Sequence, residues 1–372
     1  MTRTSAATTV VNMPDDGLSW RGTHLTRRSI LRGIGAVGAF LAVDLGAVAY
    51  ANGWAGNDAF TRETFLDGFR TVFGSHPGFR RNHAKGVAVT GYFDGTGDAS
   101  EMSTAAVLAA RRTPVLGRFS LTGGNPYVTD TPSAARGLAL AFDLPGRDQW
   151  RTATLNLPVF PDNSPRGFYE RTLASKPVPG TTSPDPEAMA RFLSMHPETA
   201  AAMALIKKHP PTAGFADSTF SSLNAFYLVD GAGTRTPVRW SFVPQQGSLP
   251  VRAEGADALF DALVRQMRAG PLRYQLRLTI GGPSDQVTDA TLPWPADRRA
   301  VDAGTLTLTT AVTEGPRNAR DVNFDPLVLP DGIEPSNDPL LSARSSVYAG
   351  SYRARTGEPK SPSAVQVDRV AP

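Results

Sequence analysis

The stretch FRRNHAKGVAVTGYF, residues 79 to 93, decides the fold of this chain. Its second half mixes β-branched, small and aromatic residues in the way that favours a β-strand. Its first half places two arginines and a histidine directly before that strand. Basic side chains at such a position usually form a solvated rim, but they can also face an acidic ligand. The rest of the sequence discriminates between these two interpretations.

Strand-like segments recur on both sides of this stretch. Glycine and proline are frequent, with 35 and 31 residues, which favours turns between short strands. Eight antiparallel strands can close a barrel that is filled by its own side chains. Eight strands are predicted from apolar alternation or from β-branched and aromatic content, near residues 85–93, 113–121, 137–143, 149–156, 220–229, 238–244, 273–280 and 305–312.

Helical segments complete an α+β pattern. FTRETFLDGFRTVFG, residues 60 to 74, brings its phenylalanines close to one helical face. The insertion at 161–219 contains DPEAMARFLSMHPETAAAMALIKKHPP, and GADALFDALVRQMRAG follows at 255–270; both carry apolar residues at helical spacing. Residues 358–372 are predicted to form a disordered tail.

The N-terminal residues 1–51 are predicted to be a twin-arginine export signal or an anchor. TRRSILR, residues 26 to 32, precedes an apolar run from Gly33 to Ala51. Asp44 in that run argues against a permanent membrane span, although both cleavage and retention are open. The pattern predicts a periplasmic or other extracytoplasmic protein, with the twin-arginine machinery as a partner and membrane contact only through this segment. Such signals are typical of proteins that fold around a cofactor before export.

Composition excludes several functional classes. The absence of cysteine excludes disulfides, thiolate metal sites and cysteine nucleophiles. The formal net charge is only +4, and the basic residues form no stripe interleaved with aromatics, so no nucleic acid partner is predicted.

Arg80, His83 and the HAKG strand resemble the distal signature of the haem catalase superfamily. Companion motifs follow in the family's order: GRFS at 117–120, RGLALAF at 136–142 and NLPVF at 156–160. The segment NFDPLVLPDGIEPSNDPLLSARSSVYAGSYRARTG, residues 323 to 357, resembles the catalase proximal segment. The resemblance implies a haem-binding domain over residues 60–357. Its fold would be a catalase-like eight-stranded antiparallel barrel with helices, lacking the C-terminal domain of large catalases, and its cofactor would be haem b.

The resemblance also assigns roles on the two sides of the haem. Tyr348 is implied as the iron ligand, in an R-x-x-x-Y pair with Arg344. Residues four apart share a helix face, so the Arg344 guanidinium can favour the charged form of the phenol. On the other side, His83 is implied as the proton shuttle for bound peroxide and Ser120 as the residue that orients its imidazole.

Four further residues are implied as contacts to the haem itself. Arg80, Arg118 and Arg355 occupy the positions at which the family binds haem propionates, since guanidinium and carboxylate form charge-assisted, two-pronged hydrogen bonds. Phe168 falls where the family has a phenylalanine against the haem.

The sequence departs from the catalase pattern on the distal side. Leu155 stands at the position of the family's distal asparagine, and Asn156 follows it; a shift of one residue points to the other face of a strand, unless a bulge restores it. Asn82 occupies a position that is usually apolar in catalases. These departures should weaken the hold on a second peroxide, and the abbreviated pattern resembles the catalase-related peroxidases (the SrpA-like group).

We therefore expect a haem peroxidase that reduces hydrogen or organic peroxides with a small organic reductant and has weak or no catalase activity. Three alternatives are a true catalase, an enzyme that rearranges fatty-acid hydroperoxides, and a noncatalytic haem carrier. A carrier needs no proton shuttle, so His83 and Ser120 argue against the last of these.

Overall fold

Eight strands close an antiparallel barrel in the computed structural model of this protein. The structure describes residues 19–20, 23–24, 61–181, 183–247 and 255–367. Around the barrel the order is β1-β2-β3-β4-β5-β7-β8-β9, and β9 pairs back with β1. The predicted fold class is confirmed. The strands are β1 Gly86–Gly95, β2 Arg112–Leu121, β3 Arg136–Asp143, β4 Gln149–Leu155, β5 Phe220–Ser221, β6 Phe226–Val229, β7 Arg235–Pro244, β8 Leu272–Ile280, β9 Ala300–Val312 and β10 Ile333–Pro335.

One predicted strand, at 220–229, is divided in two. β5 belongs to the barrel, whereas β6 extends the sheet beyond β7 and pairs with β10. Between them Leu223 has a φ of 62°, a left-handed conformation that a strand cannot continue through. Its neighbour Asn224 is completely buried. The break therefore places a polar side chain inside the protein, and the composition of the segment did not indicate it.

Large aromatic side chains fill the barrel. The rings of Phe142 and Trp150 stack with centroids 4.6 Å apart, and Trp240 meets Trp150 edge-on at 5.2 Å. The ring centroids of Phe119, on β2, and Phe220, on β5, lie 5.8 Å apart. Because these residues occupy the interior, the side chains that alternate with them along each strand point outward.

Six helices lie in the described part of the chain: α1 Arg62–Phe73, α2 Pro165–Ala174, α3 Pro186–Met195, α4 Pro197–Lys208, α5 Ala258–Ala269 and α6 Pro339–Gly357. The helical part of the insertion is divided at His196, whose backbone is non-helical. Pro197 explains the division, because proline disfavours the helical conformation of the residue before it. Side-chain caps begin several helices; Ser164 accepts from Gly167 N and Asp338 from Leu340 N.

A buried ion pair attaches α5 to the barrel. Lys85, directly before β1, is 2% exposed, and its Nζ lies 2.7 Å from Asp130 Oδ1. The other oxygen of Asp130 accepts from the backbone N–H of Leu259 at 2.9 Å, in the first turn of α5. Lys85 also donates to the carbonyl of Ala256 at 2.8 Å.

The ends of the chain differ from expectation in one respect. The chain divides into two units, Met1–Ala59 and Phe60–Pro372. Apart from the short strands Ser19–Trp20 and Thr23–His24, the predicted export segment lies outside the described residues. The tail was expected to be disordered, but residues 358–367 pack on the domain, where Val365 is 1% exposed and Val367 N donates to Thr313 at 2.8 Å. Within the described residues, no helix combines the length and apolarity needed to cross a bilayer.

The Lys85 pair gives a test of the fold. Asp130→Asn keeps an acceptor for α5 but leaves the buried Lys85 ammonium with the partly exposed Asp257 carboxylate, 2.6 Å away, as its one remaining counterion, which should lower the free energy of unfolding by about 2 kcal/mol. Removing the lysine as well, in Lys85→Met/Asp130→Asn, should recover part of this loss, as measured by urea denaturation. Equal losses in the single and double variants would show that the ion pair does not stabilise the attachment.

Candidate active site

The outer face of three neighbouring strands, β2, β3 and β4, forms one wall of the site. Ser120 of β2 pairs directly with Gly137 of β3, which pairs with Leu155 of β4. Directly paired residues share a sheet face, so these three point the same way, opposite to the interior Phe119. Two residues further along, Ala139 and Ala153 are paired on the same face. Small side chains thus leave the wall shallow enough for a flat ligand.

A cavity of about 430 Å³ lies against this wall. Helices α1, α2 and α6 also contribute lining residues. All eight residues predicted from the sequence line this cavity: Arg80, His83, Arg118, Ser120, Phe168, Arg344, Tyr348 and Arg355. The structure therefore brings together residues that are separated by up to 275 positions along the chain. Their individual roles stay predictions.

His83 is held in a defined orientation. Its backbone has a φ of 56°, an uncommon conformation for a residue other than glycine, and the Asn82 side chain accepts from its N–H at 2.9 Å. Its Nδ1 lies 3.1 Å from Ser120 Oγ, which leaves Nε2 for the cavity. Burial, and then the nearby charges of Arg118 and Arg344, lower the pKa of His83 to about 3. The imidazole is neutral at physiological pH and can accept a proton.

Two arginines contact one buried carboxylate beside the cavity, and a third lies close enough to act on it electrostatically. Arg118 Nε and Nη2 each lie 2.8 Å from the Glu314 carboxylate, and Arg80 Nη1 lies 3.3 Å from it. Burial would raise the pKa of Glu314, but the charges of Arg118 and Arg80 outweigh burial and hold the pKa below its usual value. Arg80 and Arg355 both donate to the carbonyl of Val322, at 3.0 and 2.9 Å. Burial lowers the pKa of Arg355 to about 10, so it stays charged.

Sequence reasoning did not identify Glu314. It lies just past the end of β9, 196 positions from Arg118. The available signal was a single acidic residue after an apolar strand, which does not by itself indicate a partner.

Helix α6 carries Tyr348 and, one turn earlier, Arg344. The Arg344 guanidinium donates to Asn224 Oδ1 and, at 3.0 Å, to the carbonyl of Ala153. Asn224 Nδ2 in turn donates to Asp338 at 2.8 Å, and Asp338 caps α6. Burial raises the pKa of Asp338 to about 6. This network fixes the helix against the barrel; the predicted approach of Arg344 to the Tyr348 phenol stays a prediction.

Phe168 lies in a group of aromatic rings at the α1 and α2 side of the cavity. Its ring centroid is 6.2 Å from Phe65, 6.1 Å from Phe69 and 5.8 Å from Phe160. Arg171 lies over the same ring at 5.5 Å. This side of the cavity is therefore mainly aromatic, with one guanidinium over the Phe168 ring.

The position of Asn156 answers the question raised by the sequence. β3 and β4 pair without a register shift as far as Gly137 and Leu155, so no bulge within this ladder turns Asn156 toward the cavity. Asn156 Oδ1 instead accepts from Arg136 N at 2.6 Å. Leu155 lines the cavity on the face that also carries Ser120. An apolar side chain therefore stands on the histidine's side of the site.

The model of the family described as Catalase matches residues 77–267 and 283–364. The chain belongs to the catalase family. Within that family it is 40% identical over 301 residues to a catalase-related peroxidase of Synechococcus elongatus, covering 80% of this chain and 89% of the relative. It is 33% identical over 303 residues to a catalase-related peroxidase of Mycolicibacterium paratuberculosis, covering 80% of this chain and 95% of the relative. The predicted place in the catalase-related peroxidase group, and with it an oxidoreductase of the peroxidase class, is confirmed.

Solved catalases share the fold. Catalase A from Saccharomyces cerevisiae superposes with a TM-score of 0.65 at 24% identity, over 74% of this chain and 61% of that one. A bacterial catalase superposes with a TM-score of 0.66 at 23% identity, over 74% of this chain and 57% of that one.

Membership in the catalase family implies a haem group, and the cavity has the chemistry to hold one. A haem needs an apolar slot, partners for its two propionates and an axial ligand. The shallow strand wall and the rings around Phe168 form such a slot, and Tyr348 offers a phenol oxygen. Three guanidiniums and the Glu314 carboxylate leave two positive charges, the number that two propionates require.

Gly137 gives a test of this catalase site. A Cβ on Gly137 would lie 3.0 Å from Ser120 Oγ and 3.2 Å from His83 Nδ1, tighter than ordinary contact. Gly137→Ala should therefore displace the imidazole and slow the reaction with peroxide about tenfold, measured by stopped-flow absorption. Gly231→Ala is the control, because its Cβ would meet nothing within 4 Å. Equal rates in both variants would show that the His83 to Ser120 contact does not position the histidine.

Proposed function

We propose that this catalase-family protein is a haem b peroxidase. It reduces hydrogen or organic peroxides with electrons from an organic donor and has weak or no catalase activity. The proposal rests on one observation. A neutral histidine, held by Ser120, faces a cavity whose strand wall carries the apolar Leu155, on β4. Such a site has a base for the first peroxide but an apolar surface where a second one would need to be held.

Different residues would act on the two faces of the haem. Arg80, Arg118 and Arg355 would hold the haem propionates, and Tyr348 would bind the iron. Bound haem supplies the iron centre that exchanges electrons with peroxide and donor. Arg344, held by Asn224, lies one helical turn before Tyr348 on α6.

His83 performs the proton transfers. Its neutral Nε2 accepts a proton from the entering peroxide and returns it to the departing oxygen, while Ser120 holds the other ring nitrogen. The net reaction takes a peroxide, two electrons and two protons to an alcohol, or water, and one further water. The electrons come from the organic donor, in single steps. The two relatives named above are peroxidases, which supports a donor other than a second peroxide.

The experiment that tests this function compares two products. Protein purified with its haem should show a Soret band and should oxidise phenolic or amine dyes when peroxide is added. Vigorous oxygen release with negligible dye oxidation would identify a true catalase instead. Conversion of a lipid hydroperoxide without any donor would identify a rearranging enzyme, and haem transfer to an acceptor without dye oxidation would identify a carrier.

Two substitutions test the assignment of sides. Tyr348→Phe should lose most of its haem, because the phenol oxygen is removed; Tyr227→Phe, on β6, is the control. His83→Ala should keep the haem and slow the reaction with peroxide by about 10²- to 10⁴-fold, the range expected for a lost general base. Haem content by absorption and peroxide rates by stopped flow measure the two effects, and parental behaviour in both variants would contradict the assignment.

The pKa of His83 predicts how the rate depends on pH. With a pKa of about 3, the imidazole is neutral from pH 5 to 8, so the rate constant for peroxide should be flat there and should fall only at lower pH. An ordinary histidine, with a pKa of about 6.5, would lose roughly nine-tenths of its neutral form by pH 5.5. A rate that declines about tenfold between pH 7 and 5.5 would show that a histidine base titrates with an ordinary pKa there, which would contradict the lowered pKa of His83.

We also propose export by the twin-arginine machinery to the periplasm or another extracytoplasmic compartment, supported by TRRSILR at 26–32. Replacing the adjacent Arg27 and Arg28 with lysine should retain the protein in the cytoplasm, as measured by cell fractionation.

A further inference from the structure

Asn82 presents a fixed amide group to the cavity. Its Oδ1 accepts from two backbone N–H groups, those of His83 at 2.9 Å and of Gly123 at 2.8 Å. Both partners are donors, so they identify this atom as the oxygen and settle the orientation of the amide. Asn82 also lines the cavity.

The amide nitrogen of Asn82 is uncommitted. Among the described residues, none accepts a hydrogen bond from its Nδ2, and this atom is not buried. With the oxygen turned toward the backbone, Nδ2 is the part of the side chain that remains for a bound molecule.

The other groups near His83 cannot take this role. Ser120 Oγ is engaged with the imidazole, and Gly137 has no side chain. Leu155 is apolar, and Asn156 does not line the cavity, since its oxygen accepts from Arg136 N and its Nδ2 is buried. Among these neighbours of His83, the residue with a donor left for the peroxide is Asn82, directly before the histidine.

We infer that Asn82 Nδ2 donates a hydrogen bond to the bound peroxide while His83 accepts its proton, which makes Asn82 a second catalytic residue of the distal side. This inference rests on the proposed function. An amide is uncharged and retains its protons at physiological pH, so it does not compete with the imidazole for the transferred proton. A donor aimed at the departing oxygen stabilises the negative charge that develops there as the O–O bond breaks.

Asn82→Asp separates this role from a structural one. The carboxylate keeps an acceptor for the N–H groups of His83 and Gly123 but cannot donate. Asn125→Asp is the matched control: it adds the same charge in the same loop that carries Gly123, and Asn125 likewise uses its Oδ1 to accept a backbone N–H, that of Tyr127 at 2.9 Å. Asn125 is not among the lining residues of the cavity.

We expect Asn82→Asp to slow the reaction with peroxide about 10- to 100-fold, the loss of one preorganised donor. Fluoride bound to the ferric protein is also a hydrogen-bond acceptor, so its affinity, measured by absorption titration, should fall about tenfold. The melting temperature of the haem-free protein should match that of the Asn125→Asp control. Adding Leu155→Asn, which places an amide on the strand facing the site, should restore part of both losses.

Parental peroxide rates and fluoride affinity in Asn82→Asp would overturn the inference and leave the proposed peroxidase intact. Losses that the Leu155→Asn change does not restore, with a lowered melting temperature, would also overturn it in favour of a structural role. A parent protein that binds haem but does not react with peroxide would instead overturn the proposed function.

Discussion

The alternation of side chains along the barrel strands is the constraint on which the site depends. Phe119 and Leu138 turn inward and fill the barrel, so Ser120, Gly137 and Leu155 must turn outward. A filled barrel has no room for a ligand in its centre, and the chemistry is moved to the outer wall. Small residues at Gly137, Ala139 and Ala153 then create the space that helices α1, α2 and α6 enclose.

Charge is organised around the same wall. Arg118 projects from the outer face of β2, two residues before Ser120, and its buried guanidinium meets Glu314. One strand therefore positions both the polar partner of His83 and the centre of the cationic cluster. The charges of this cluster also contribute to keeping His83 neutral, so cofactor binding and proton transfer are electrostatically linked.

Most of the barrel could be predicted from the sequence because its strands carry strong local signals. The alternation in GRFS and RGLALAF determines which face each residue occupies, and the register then brings Ser120 opposite Gly137. The break at Leu223 could not be predicted, because a left-handed residue other than glycine has no compositional signature. The packing of residues 358–367 could not be predicted either, because buried Val365, the hydrogen bond from Val367 N to Thr313 and the ion pair of Glu358 with Arg81 form no pattern in the local sequence.

The candidate site shows the same division between local and distant information. Motifs located His83, Ser120 and Tyr348, because each lies in a short segment with characteristic neighbours. Asn224 and Glu314 were missed, since each acts on an arginine more than 100 positions away. Tertiary contacts of this kind leave no trace in local spacing.

Glu314 has a consequence for the order in which the protein matures. Without an internal counterion, an empty cavity would bring three guanidiniums together with nothing to offset their mutual repulsion, and the chain would need its ligand in order to fold. One resident carboxylate removes much of that repulsion. The three arginines can therefore come together before the cofactor binds, and folding does not depend on prior binding of the cofactor.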